Sequence, residues 1–101
     1  MDLLTHLASW YAGCQRSERS DLEVRFGRSA ENVVMQSAWI DLKGAAQWGQ
    51  LTVWESGDAE LEVNDISTID LVFSRNDKVQ STDHLDQLIA ILVEQVLKGG
   101  S

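Results

Sequence analysis

The sequence contains no proline at all, so no slow prolyl isomerisation is expected in folding. Its one cysteine, Cys14, excludes an intramolecular disulfide and a zinc site built from several thiolates, and fits a reducing cytosol. No run approaches the roughly 18 consecutive apolar residues of a membrane span. The chain opens on Met1-Asp2, an acid where a secretory leader would carry a basic segment. Both features lead to the expectation of a cytoplasmic protein. Basic residues are scarce as well: eight Lys and Arg stand against sixteen Asp and Glu, for a net charge of −8. That balance argues against binding nucleic acid through its phosphates, and against anionic membrane surfaces. It favours a basic partner, because complementary charge speeds and orients encounter. Acidity that serves solubility alone is the competing explanation.

The signatures of enzymes are also missing. There is no glycine-rich phosphate loop, no Cys-x-x-Cys and no His-Glu-x-x-His. The two histidines, His6 and His84, lie far apart in the chain and beside no convincing nucleophile. A solvated or helix-flanking role suits His6. Cys14 falls on the apolar stripe of a helix, where a buried structural thiol is expected. Glu60 and Glu62, two apart on a strand, could bind a metal or share acid–base work; a solvated sheet face is the plainer reading. No enzyme, no cofactor and no metal site is therefore expected.

What the chain does have is clear periodicity. The 101 residues are expected to form a single domain, too small for a core plus a large enclosed active site. From position 2 to about 18, Leu3, Leu7, Trp10 and Cys14 recur at helical spacing, with Leu4 and Tyr11 flanking them and Asp2 as a candidate N-cap. Trp10 is expected in the core. Leu22, Val24 and Phe26 alternate as one strand, followed by a turn over 27–32. Val33 to Lys43 reads as a second, longer strand with Ala38, Ile40 and Leu42 on one face and Trp39, Asp41 and Lys43 on the other; its apolar start at Val33, Val34 and Met35 suggests a bulge or a covered edge.

The stretch from Trp48 to Ile66 reads as two strands folded on a turn at Ser56-Gly57-Asp58. Placing Val53 opposite Leu61 sets Leu51 against Val63 on the apolar face. The same register sets Trp54 beside Glu60 and Thr52 beside Glu62 on the other face. Gly49 implies a bulge or a close backbone approach. Strict alternation turns Trp48 outward and a bulge turns it inward. Asn64 to Thr68 is a further turn. Ile69, Leu71 and Phe73 then alternate with Asp70 and Val72 along a fifth strand that ends at Asn76-Asp77. From Thr82 to about Lys98, Leu85, Leu88, Ile89, Leu92 and Val96 form the strongest helical stripe, capped by Ser81 or Thr82 and stopped at Gly99. The expected fold class is α+β: an antiparallel meander sheet of about five strands flanked by N-terminal and C-terminal helices packed on one face.

Charge and indoles single out one region. No Lys or Arg occurs between Lys43 and Arg75, a tract that carries Glu55, Asp58, Glu60, Glu62, Asp65 and Asp70. Single-sign patches repel themselves, which points to a partner of opposite sign. Trp39 and Trp54 fall on the outer face by alternation. Exposed indole beside carboxylate suits a basic or arginine-rich surface. Trp39, Trp54, Glu55, Asp58, Glu60 and Glu62 are thus the candidate partner-binding residues. A second small core under another segment is the alternative for the tryptophans.

The hairpin from Gln50 through Trp54-Glu55-Ser56-Gly57 to Ile66, followed by the helix Leu85 to Leu97, resembles the TriTu-type immunity proteins of bacteria. The recognisable part covers about a fifth of the chain, and size and element order agree more loosely over the rest. The resemblance implies a small cytosolic protein, encoded beside a polymorphic toxin delivered between bacteria. The family's toxin is an ADP-ribosyltransferase that modifies the translation factor EF-Tu. It further implies that the protein binds this toxin domain, at a basic surface or active-site cleft, and blocks it. A monomer when free is expected. The alternative is an acidic secretion chaperone or adaptor for an exported effector, which would dimerise and hold an extended segment in apolar grooves.

Overall fold

The computed structural model describes residues 3–16, 22–30 and 34–98. The elements follow one another as α1 (Leu3–Arg16), β1 (Glu23–Arg28), β2 (Ser37–Lys43), β3 (Gln47–Trp54), β4 (Asp58–Asp65), β5 (Leu71–Lys78) and α2 (Thr82–Lys98). The strands form one antiparallel sheet in the order β1-β2-β3-β4-β5. Such a meander needs only short links, because each strand pairs with its sequence neighbour. Helix α1 lies against β1, β2 and β3, and α2 lies against β2, β3 and β4. This is the expected α+β arrangement.

The core sits between helices and sheet. Ala38, Ile40 and Leu42 of β2, Leu51 and Val53 of β3, and Leu61 and Val63 of β4 are fully shielded from solvent. They meet Leu7 of α1 and Leu85, Leu88, Leu92 and Val96 of α2. Each such Leu, Ile or Val contributes about 1.5–3 kcal/mol on burial, and together they hold both helices on one side. Gly49 belongs to this contact. A Cβ there would stand 2.7 Å from Leu92 Cδ1 and 2.9 Å from Val96 Cγ2. The glycine therefore marks a close approach of α2 to β3, the second of the two expectations for it.

Local chemistry sets the helix positions. The Ser81 hydroxyl accepts from the His84 amide at 3.1 Å, so Ser81 caps α2. The helices are joined across their solvent edge by His6 Nε2 and Asp86 Oδ1, 2.7 Å apart, so His6 has an inter-helix partner that spacing within one helix could not reveal. Tyr11 stacks on Phe26 at 5.5 Å between ring centroids, covering the β1 edge of the core. Trp10 is half-buried against the core margin rather than enclosed in it. The Asp2 cap, the Gly99 stop, Val33 and the Cys14 side chain lie outside what is described.

Several expectations are corrected. β1 runs through Gly27 and Arg28, where a turn is expected. β2 begins at Ser37; Val34 is fully exposed and Met35 half-exposed in a bend before it, so neither a strand nor a covered edge forms there. In the central hairpin Leu51 pairs with Leu61 and Val53 with Ala59, two residues away from the expected register. The reason is the turn. Gly57 takes φ +98° and its amide donates to the Trp54 carbonyl at 2.9 Å. Glu55-Ser56-Gly57 is thus the loop, with glycine at the left-handed third position that three-residue hairpins require. β5 begins at Leu71 and extends to Lys78. Ile69, expected within the strand, precedes it, and both Ile69 and Leu71 are exposed; of the alternating trio only Phe73 packs on the core. A register shift is the cause: Val63 faces Phe73 but Asn64 faces Leu71, so Val72 is an extra residue and the inward alternation breaks there.

Candidate protein-binding face

The pleat of the sheet sends alternate residues to the side opposite the helices, and the register arranges them in rows. One row reads Gly27, Trp39, Thr52, Glu60, Asn76 from β1 to β5. The next reads Arg25, Asp41, Gln50, Glu62, Ser74. A third runs Glu23, Lys43, Trp48, Asn64, Leu71. Beyond the first row, Trp54 pairs with Ser37 on β2, and Asp58 pairs with Lys78 on β5. Directly paired residues on one face stand about 4.5–5.5 Å apart at Cβ, and diagonal ones about 7–8 Å. Trp39 and Trp54 are diagonal neighbours, with Thr52 between them and Glu60 on its far side. Trp48 alternates outward with Gln50 and Trp54, opposite the buried Gly49. Both helices pack on the other side, and no described element covers this one.

The indoles are fixed in different ways. The Trp39 ring lies over Gly27, filling the space a side chain would take there. Glycine on an edge strand leaves a gap that a cross-strand aromatic closes. Trp54 ends β3 at the turn, half-buried, and Trp48 is more exposed. Polar order surrounds them: Gln50 Nε2 donates to Asp41 Oδ1 at 2.8 Å across the β2–β3 pair.

The carboxylates are of two kinds. Glu62 is raised above the ordinary glutamate range, first by a hydrogen bond with Glu60, then by partial burial and by repulsion from the Glu60 charge. Crowded acids without a nearby cation resist full ionisation. Asp58 is lowered instead, chiefly because the Ser56 hydroxyl donates to it at 2.8 Å and also because Lys78 Nζ lies 3.4 Å away. The acidic centre of the face is therefore on β4, and at its corner Asp58 is answered by Lys78. Among the described residues, no three His, Cys, Asp or Glu side chains gather so as to hold a metal ion. Among the described residues, no helix is long and apolar enough to cross a membrane. On the helix side, an open groove of about 560 Å³ is lined by Trp10, Asp86, Ile89, Ala90, Val93 and Glu94; it contains none of the candidate residues.

Comparison with known protein families matched the immunity protein TriTu over residues 5–95. The chain belongs to the TriTu immunity protein family. A search of curated proteins found no match. The resemblance carried by the Trp54-Glu55-Ser56-Gly57 hairpin thus extends over nearly the whole chain.

In this TriTu family member, Trp39, Trp54, Glu60 and Glu62 share the outer face. Asp58 sits at its corner, tied to Ser56 and Lys78. Glu55 stands at the exposed hairpin tip, where its backbone amide donates to Gln36 O at 2.9 Å. The corrected register replaces two expected neighbours: Glu60 faces Thr52, not Trp54, and Glu62 faces Gln50, not Thr52. Trp48, Asp41, Gln50 and Asn64 complete the face and were absent from the candidate set. Reading Gly57 as the third residue of a three-residue loop would have placed Gln50 and Asn64 beside the acids and Trp48.

Proposed function

We propose that this TriTu family protein is a non-catalytic inhibitor that binds a cognate ADP-ribosyltransferase toxin, one that modifies EF-Tu, and occludes its active site with the outer sheet face. In this reading Glu60 and Glu62, with Asp58 and Glu55 toward the hairpin tip, engage the basic pocket that receives the pyrophosphate of NAD. Trp54 and Trp39 supply desolvated anchoring area. The protein acts as a cytoplasmic, single-domain monomer until it meets the toxin, and uses no cofactor.

The observation that carries the reading is the gathering of three indoles and the Glu60–Glu62 pair on one side of a sheet whose two helices occupy the other. Fixing rings and charges on a rigid pleated surface lowers the ordering cost of binding. Family membership supports immunity over the secretion-chaperone reading.

The test is calorimetric titration with the ADP-ribosyltransferase toxin domain proposed as the cognate partner. Trp54→Ala and Glu60→Ala are each expected to weaken binding by at least ~1 kcal/mol, with unfolding curves unchanged. NAD-glycohydrolase activity of the toxin should fall in step with occupancy. Wild-type affinity in both variants would remove this face from the account.

A further inference from the structure

The outer face has an apolar corner that the acidic reading does not use. Ile66 is 36% exposed, Ile69 79%, Leu71 56% and Val72 49%. These four large aliphatics fall within the connection of β4 to β5 and its first residues. Trp48, 39% exposed, joins them through the row Trp48–Asn64–Leu71. Isolated exposed aliphatics are ordinary, but several at one corner of a sheet on a small acidic protein mark a contact surface.

The corner is held in shape. Asp65 Oδ1 accepts from the Ser67 amide at 2.9 Å, the Ser67 hydroxyl at 2.7 Å and the Thr68 amide at 3.1 Å. The Asp65 carbonyl accepts from the Ile69 amide at 2.9 Å, and the Asp65 amide donates to the Asp70 carbonyl at 2.9 Å. Inside this frame Ile69 takes φ 62°, a conformation β-branched residues rarely adopt, and its side chain points to solvent rather than to the core. The extra residue in β5 leaves Leu71 and Val72 together against Asn64. A bulge of this kind re-aims side chains.

We infer that Trp48, Ile66, Ile69, Leu71 and Val72 form a second, apolar anchor for the same toxin domain, fitting an aliphatic patch on it that is rimmed by Lys or Arg. This rests on the function proposed above. The occupant follows from the corner's surroundings. Asp65 and Asp70 flank the same turn and Glu62 lies in the adjoining row, while Lys43 borders only Trp48, on the side away from Leu71. An apolar spot with that border selects a partner with cationic edges. It disfavours a second copy of this chain, because a two-fold contact brings like patches together and would set these acids against their own images.

Titration of the same toxin domain with Ile69→Asn and Leu71→Ser, at low and at high salt, is the test. Each variant is expected to lose at least about tenfold in affinity, by the same factor at both salt concentrations, because apolar contact is not screened. Asn suits the left-handed backbone, so Ile69→Asn should melt no lower than wild type. Trp54→Ala and Glu60→Ala are run in parallel. If they weaken binding while Ile69→Asn and Leu71→Ser do not, the apolar anchor is overturned and the acidic face stands. If only the corner variants weaken binding, the anchor stands and the acidic face falls. A wild-type protein that dimerises when free, with Ile69→Asn converting it to monomer, would assign the corner to self-association and overturn the inference.

Discussion

The indole of Trp39 occupies the space above Gly27, its cross-strand partner on β1, so closely that even a Cβ at Gly27 would overlap the ring. The edge strand and the outer face are therefore coupled: the backbone of β1 serves as the floor on which one indole rests. Gly27→Ala must either displace Trp39 or push β1 away from β2. We expect a loss of about 1–3 kcal/mol, as for other overpacked sites, read by denaturant unfolding. In a Trp39→Ala background the same change should be nearly neutral, since the overlap is gone; the double-mutant cycle isolates the pair.

Gly49 presents the opposite side of the sheet to α2. Leu92 Cδ1 and Val96 Cγ2 lie where a Cβ would go, and both residues are fully packed in the core. Gly49→Ala is expected to destabilise by about 1–3 kcal/mol. Leu92→Ala in the same chain should relieve part of this loss, and thermal melts of the two single variants and the double variant would show it.

The carboxylates predict opposite pH trends in separate windows. Glu62 is raised above its ordinary 4.5 by Glu60 and by burial. The folded protein then binds more protons than the unfolded chain, so stability falls as pH rises from about that value through the folded pKa. Glu62→Gln should flatten this fall, and denaturant midpoints across the acid-to-neutral range would record it. Asp58, lowered below 3.8 by the Ser56 hydroxyl and Lys78, contributes stability that is present above that value and lost as pH drops through the folded pKa. Asp65, lowered first by the Ser67 hydroxyl, and Asp77, lowered first by the Lys78 amide, follow the same sign. Asp58→Asn should thus change only the acid limb, and its groups are exposed enough that the effect is small.

Much of this architecture could be read directly from residue patterns. Period-two alternation in β2, β3 and β4 puts the aliphatics and the acids on their correct faces, leaving only Trp48 open, and it does so despite a register error of two residues. A shift of two leaves every residue on its own side; a shift of one would have inverted them all. The α2 stripe and its Ser81 cap were equally plain, because Leu85, Leu88, Leu92 and Val96 recur at helical spacing and a serine precedes them. The candidate acids and indoles were grouped on the same logic. Pattern failed where the backbone departs from regular pairing. Ile69 and Leu71 alternate well enough with Asp70 and Val72 to suggest a regular strand, but the Asp65 frame holds Ile69 before β5 and the extra residue in β5 breaks the alternation.

Residue order therefore sets which elements form and which side of the sheet each residue takes, since these depend on local periodicity and on the need to bury aliphatic stripes. Packing settles who stands next to whom. Glu60 lies opposite Thr52, Gln50 bonds Asp41, Trp39 covers Gly27 and His6 reaches Asp86 because turn geometry and helix placement choose the register between segments, and those contacts join residues that no single stretch of the chain contains.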